Sequence, residues 1–318
     1  MTDAATTANR PCDQSSISGL PLPDLAGFTH RWVDAEGVRL HAVEGGRPTG
    51  PAVVLLAGFP QTWWAWRKAM PGLAEHFHVI AIDLPGQGHS DRPHDSYDTH
   101  TVASRVQAAV TALDVPKYWL VAHDIGAWVA FSLALEHEER LHGVALLDAG
   151  IPGITLPEAI PTDPDRAWKT WHFAFHLVPD LPETLLAGRE RDYVDWFLKA
   201  KALYPDTFGS AEIDHYAAAI AAEGGLRASL AYYRDAAESA RKNHDALGRQ
   251  HLTVPVLGIS SSHGSIPDMA ASIGPWANNA TGVVIPHAGH FIPDEQPGAV
   301  VDALTAFIGQ CPAGAAPR

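Results

Sequence analysis

The stretch VAHDIGAW, residues 121–128, sets a carboxylate, Asp124, between an apolar run and a helix that opens on Gly126. A tight strand-to-helix turn at such a junction lifts one side chain above the sheet, and the small residues Ala122 and Gly126 relieve crowding behind it. Other groups stand where they could work with it. His290, in PHAGHFIPDEQP (286–297), follows the last apolar run, placed to act as a general base. Asp148 ends the run LHGVALLD (141–148), from which a carboxylate could orient that histidine. AGFPQTWWAW (57–66) follows the first buried run, where backbone N–H groups can bind an oxyanion. Each also has an ordinary reading: a helix N-cap for Asp124, a polar loop residue for His290, a helix cap for Asp148, turn punctuation for Gly58 and Pro60. Their joint occurrence in this order favours a nucleophile, a base, an orienting acid and an oxyanion site.

The elements that must position these groups are legible in the apolar patterning. GVRLHAVEGG (37–46) alternates apolar and polar residues, as an early antiparallel strand does. AVVLLAG (52–58), HVIAIDL (78–84), YWLVAH (118–123) and LHGVALLD are short, nearly continuous apolar runs, expected of parallel strands buried on both faces. Helical spacing over 99–113 and 126–140 separates them. Two further strands, 254–261 and 281–286, and a closing helix, 297–309, come only after a long gap. Residues 152–248 therefore read as an inserted helical cap, with LPETLLAGRERDYVDWFLKAKALY its clearest amphipathic stretch. The core is then 28–151 together with 249–318, preceded by a mobile tail over 1–27.

Composition narrows the classes. The chain has 318 residues, 46% of them apolar, enough for one large core with a sizeable insertion. A formal charge of −14 with no basic block argues against nucleic acid and anionic membranes as partners. Two cysteines, Cys12 and Cys311, near opposite ends, read as spare thiols rather than a disulfide framework. With no basic and apolar leader and no run of membrane-spanning length, a soluble cytoplasmic protein is expected, a leader removed beforehand being the exception.

Three blocks, GFPQTWWAWRKAMPGLAEHFHVIAIDLPGQGHSDRP, VAHDIGAW and HAGHFIPDEQP, resemble those of the α/β-hydrolase superfamily and, within it, the epoxide hydrolases. The resemblance runs from about residue 28 to 309, and the segments TWHFAFHLVPDLPETLLAGRERDYVDWF and ASLAYYRDAAES resemble the Cif type. It implies an α/β-hydrolase fold with a mostly parallel sheet and a helical cap. It also implies a small apolar epoxide and water as reactants, with Asp124 attacking a ring carbon and His290, held by Asp148, activating water against the resulting ester. The backbone N–H groups of Phe59 and Ile125 match the oxyanion positions, and His172 and Tyr233 match the cap donors to the alkoxide. A homodimer is implied, and no cofactor or metal.

Other readings make distinct demands. Haloalkane dehalogenases place Trp after the nucleophile and Asn in the first oxyanion loop, where this chain has Ile125 and Phe59. Fluoroacetate dehalogenases carry arginines beside the nucleophile, and DIGAW has none. A serine esterase lacks its hydroxyl at the elbow. HFAFH (172–176) offers two histidines four apart, without the glutamate of H-E-x-x-H or an obvious third metal ligand. A catalytically silent binding module stays open through one departure, since the family usually has His-Gly-x-Pro where this chain has Ala57-Gly58-Phe59-Pro60. Asp268 is the alternative partner for His290. Tyr232 and Tyr233 diverge by about 100° on a helix, so only one of them can face the pocket.

Overall fold

The computed structural model describes Ile17, Gly19–Leu156 and Asp163–Gln310. Cys12, Cys311 and most of the expected N-terminal tail lie outside the described residues. Eight strands form one sheet: β1 (Phe28–Ala35), β2 (Val38–Gly46), β3 (Ala52–Leu56), β4 (His78–Ile82), β5 (Tyr118–His123), β6 (Leu141–Leu147), β7 (Val256–Ser261) and β8 (Ala280–Ile285), in the order β1-β2-β4-β3-β5-β6-β7-β8. β1 with β2 and β2 with β4 are antiparallel, and every later pairing is parallel. The α/β class expected from the apolar runs is thus the fold observed. The apolar patterning does not pick out β1, whose partly exposed FTHRWVDA carries too many polar residues to stand out as an apolar run.

Burial of the sheet on both faces follows from the two-residue period of a strand. Val54, Leu56, Leu120, Ala122, Val144 and Leu146 pack on one face, against α2 (Thr99–Ala112) and α3 (Ile125–Glu136). Their neighbours Val53, Leu55, Val121, Ala145 and Leu147 pack on the other, with Met70 and Leu73 of α1 (Met70–Ala74). Between β6 and β7 the described residues form six α-helices: α4 (Pro164–Leu177), α5 (Leu181–Leu186), α6 (Glu190–Lys201), α7 (Ser210–Ala221), α8 (Gly225–Arg234) and α9 (Ala236–Leu247). No helix among the described residues is long and apolar enough to cross a membrane.

Strand order decides where chemistry can sit. Parallel strands β3, β5 and β6 lie side by side and end together, so the loops after them share one edge of the sheet. Phe59, Asp124 and Asp148 follow those three ends, and His290 follows β8.

Candidate active site

Asp124 follows β5 at φ +53° and ψ −125°, a backbone conformation that non-glycine residues rarely hold. It occupies the N-cap position of α3, yet its side chain makes no capping bond. The ordinary N-cap reading therefore fails. The carboxylate instead accepts the Phe59 N–H on Oδ1 at 2.8 Å, and Oδ2 lies 3.4 Å from His290 Nε2. Gly126 cannot be larger, because a Cβ there would sit 2.6 Å from the Leu56 carbonyl oxygen. Ala122, where the nucleophile-elbow pattern Gly-x-Ser-x-Gly has its first glycine, is fully buried and accommodated.

The other arm of the site is fixed by hydrogen bonds to backbone. His290 Nδ1 meets Asp148 Oδ2 at 2.7 Å. The same carboxylate accepts the N–H groups of Ser265 and Ile266, each at 2.8 Å. Asp148 is held on all sides, and the imidazole proton on Nδ1 is directed to it. Asp268 serves elsewhere: it caps the short helix α10 (Met269–Ile273) by accepting the Ala271 N–H at 2.9 Å. Of the two candidate partners, the structure brings Asp148 to His290.

Burial opposes the charge on each of these groups, and their mutual contacts outweigh it. Asp124 is held well below the usual carboxylate range by His290, His123 and Lys201, against the cost of desolvation. His290 is raised above an ordinary histidine: desolvation lowers it, but the two flanking carboxylates pull harder. Asp124 keeps 16% side-chain exposure, so its free oxygen remains reachable.

The oxyanion loop is braced without the histidine usual in the resembling family. Gln87 Nε2 donates to the Ala57 carbonyl at 3.2 Å, and Asp83 accepts the Trp63 N–H at 2.7 Å. Ile125 is the first residue of α3, so its N–H has no intrahelical partner and lies beside Gly58. A Cβ on Gly58 would fall 2.3 Å from Asp124 Oδ1 and 2.6 Å from Ile125 N. Gly58→Ala should therefore displace the loop and lower turnover about 100- to 1,000-fold, the usual scale for losing one oxyanion donor. A steady-state assay beside a thermal melt checks it.

His172 on α4 and Tyr233 on α8 are both buried, with ring centroids 5.8 Å apart. Tyr233 also packs against Phe59 at 5.8 Å and Trp128 at 5.7 Å. Its neighbour Tyr232 points elsewhere, its hydroxyl donating to the Pro85 carbonyl at 2.8 Å. Burial, then the charge of Asp124, pushes the Tyr233 phenol up, so it stays protonated. Burial, then Lys201, His176 and His290, holds His172 well below an ordinary histidine. His172 and His176 do share a helix face, with centroids 5.4 Å apart, but His176 Nε2 is taken by the Tyr193 hydroxyl at 2.5 Å. Among the described residues no three His, Cys, Asp or Glu side chains are grouped to hold a metal ion.

Two further residues of the site escape a sequence reading. His123 Nε2 donates to the His290 carbonyl at 2.8 Å and pins that loop. The His290 N–H donates to the Lys201 carbonyl at 3.0 Å, tying the loop to the end of α6. The Lys201 side chain is buried, with Nζ 3.5 Å from His172 Nε2 and 4.4 Å from the Phe197 ring centroid. Its signal was present: Val194, Phe197 and Leu198 are the buried positions of α6, and residue 201 continues that stripe.

Comparison with known proteins follows the same lines. A family model described as the alpha/beta hydrolase fold matches residues 51–297. The chain is 32% identical to a soluble epoxide hydrolase of Corynebacterium sp. (strain C12), over 88% of this chain and 97% of that one. It is 29% identical to a fluoroacetate dehalogenase of Burkholderia sp., over 91% and 96%. Among solved structures, Cfl2 from Burkholderia cenocepacia is 51% identical with a TM-score of 0.88, covering 91% of this chain and 98% of that one. The Cif epoxide hydrolase from Acinetobacter nosocomialis is 25% identical with a TM-score of 0.82, covering 90% of each.

Proposed function

The chain belongs to the epoxide hydrolase family of the α/β-hydrolase fold and is a hydrolase, and from that premise we propose that it opens an epoxide to a vicinal diol through an ester on Asp124. One observation carries the reading. A carboxylate occupies the elbow with one oxygen on a backbone N–H and the other 3.4 Å from a histidine backed by a second carboxylate. A serine there would need that histidine to remove its proton, whereas an ionised carboxylate attacks unaided and leaves the histidine free for water.

On this reading Asp124 Oδ2 bonds to a ring carbon, the carbon–oxygen bond of the epoxide breaks, and the alkoxide takes a proton from Tyr233 or His172. Helices α4–α9 act as the cap that presents those donors. His290 Nε2 then removes a proton from water, and the hydroxide adds to Cγ of Asp124. The oxyanion develops on Oδ1 against the N–H groups of Phe59 and Ile125, and as it collapses Oδ2 leaves with the diol, protonated by His290. Asp148 keeps the imidazole oriented and stabilises the imidazolium. Gln87 takes over the loop-bracing part that the absent histidine plays elsewhere, which supports an intact oxyanion site despite Ala57.

The test is a single turnover of excess enzyme in ¹⁸O-water with a panel of small epoxides and halogenated acids. Label in the Asp124 peptide, with diol whose added oxygen came from protein, supports the ester mechanism. Halide release would favour the second reading, a dehalogenase, which the fluoroacetate dehalogenase relative keeps in view. A homodimer is part of the proposal: Leu177, Val178, Leu181 and Leu185 are exposed apolar residues near the start of α5. Sedimentation equilibrium decides it.

A pH dependence follows with a definite sign. Only neutral His290 can accept the water proton, so ester hydrolysis is lost as pH falls through the His290 pKa. Asp124 and Asp148 raise that pKa against burial in the free protein. Esterification removes the Asp124 charge, so the pKa falls in the intermediate. The acid limb of ester hydrolysis should therefore lie at lower pH than the His290 titration of the resting protein followed by NMR.

A further inference from the structure

A lysine ammonium buried beside the candidate donors is the feature the proposed mechanism leaves unused. Lys201 has three N–H donors. Among the described residues they meet only His172 Nε2, at 3.5 Å, and the face of Phe197. His172 Nδ1, on the other side of the ring, is buried and has no partner among the described residues. Lys201 and His290 also line one tight crevice, with Lys169 and the turn His263–Ser265. Burying a cation this poorly paired destabilises a fold, so its retention points to use.

The geometry fixes a tautomer. An ammonium can only donate, so the ring atom facing it, Nε2, must carry a lone pair, and the single proton of neutral His172 sits on Nδ1. We infer that Lys201 and His172 work as one proton-donating pair, the ammonium holding the His172 proton on Nδ1 and replacing it through Nε2 when Nδ1–H passes to the alkoxide. This rests on the epoxide reading above. In the step, the alkoxide oxygen gains the Nδ1 proton, Nε2 gains one from Lys201, and Lys201 is left as a neutral amine. The second proton of the hydrolytic water, shed as the Asp124 carboxyl is regenerated and ionises, restores the ammonium by way of solvent. Lys201 touches no reacting atom, and is a positioning residue that acts through His172, orienting its proton and replacing it.

Groups around Lys201 suit a donor that stays charged at neutral pH and is still able to give up a proton. Burial lowers its pKa to about 8, while Asp124 and Asp148 pull it back up and Lys169 opposes them. His172 and His176 face it from α4, both neutral through burial.

The test uses the full-length protein. Long-range ¹H–¹⁵N correlation at neutral pH reads the His172 tautomer, its signal assigned by loss in His172→Gln. The expected result is Nδ1–H in the wild type, redistribution toward Nε2–H in Lys201→Met, and retained Nδ1–H in Lys201→Arg. In single turnovers with styrene oxide, ester formation slows about 100-fold in both variants. The alkaline fall in rate near pH 8 disappears with it. Ester hydrolysis and the melting temperature stay at or above wild-type values. Nε2–H in the wild type, or a Lys201→Met protein that keeps its rate and its alkaline fall, overturns the inference. No ester in the wild type would sink the epoxide reading instead, and the tautomer would still decide whether the two residues are paired.

Discussion

Asp124→Asn should form no ester and turn over no epoxide, a loss of about 10⁴-fold or more, the scale seen when a covalent nucleophile is removed. The expected orientation of the amide makes the loss complete. The Phe59 N–H, 2.8 Å from Oδ1, demands an acceptor. The asparagine carbonyl oxygen must take that place, turning its NH₂ toward His290 Nε2. The atom that attacked is then a donor with no available lone pair. His290 loses the anion at 3.4 Å, so its pKa falls toward or below the ordinary value. Intact-mass and peptide analysis must accompany the assay, because hydrolysis of the amide by the neighbouring histidine would regenerate aspartate. Wild-type turnover by a verified asparagine would end the ester mechanism.

The core of this fold was legible because parallel strands buried on both faces are written as short continuous apolar runs. β3, β5 and β6 match those runs to within two residues. The chemistry at their ends was legible for a related reason: polar residues such as Asp124 and Asp148 stand out directly after wholly apolar stretches. The insertion was harder to read. Its helices pack through aromatic and alanine residues that look alike at every helical phase, so periodicity gave one amphipathic stretch where six helices stand.

What sequence could not supply was long-range pairing. Gln87 reaches the Ala57 carbonyl, and His123 the His290 carbonyl, across 30 and 167 residues. Neither contact has a local signature. Asp148 and Asp268 could be ranked only by distance from a strand end, since the contact of Asp148 with His290 that separates them spans 142 residues, and Ser265 and Ile266, whose N–H groups hold Asp148, lie in a turn with no motif. Residue resemblance reached further for Tyr233, since two adjacent tyrosines are separable only by knowing which hydroxyl finds Pro85. Lys201 stands at a core-facing position, yet a lysine at a helix end ordinarily reads as favourable to the helix dipole.

His290→Gln should separate the two halves of the reaction. Ester formation needs the ionised Asp124, its Phe59 N–H and the donors on α4 and α8, none of which the substitution removes. Ester hydrolysis needs a base, and a glutamine amide is none. The protein should therefore gain the mass of one epoxide per chain and stall, with steady-state turnover down about 1,000- to 10,000-fold. A second consequence tests the electrostatics independently. His290 leads the interactions that keep Asp124 ionised against its burial. Without it the carboxyl pKa rises, and an acid limb should enter the ester-forming step at a higher pH than in the wild type. Asp148→Asn should differ in kind: the ring remains but loses its anchoring charge, so hydrolysis slows without stopping and ester accumulates only transiently. If His290→Gln instead released diol at a wild-type rate, another base would have to reach Cγ, and the contact between His290 and Asp148 would be structural alone.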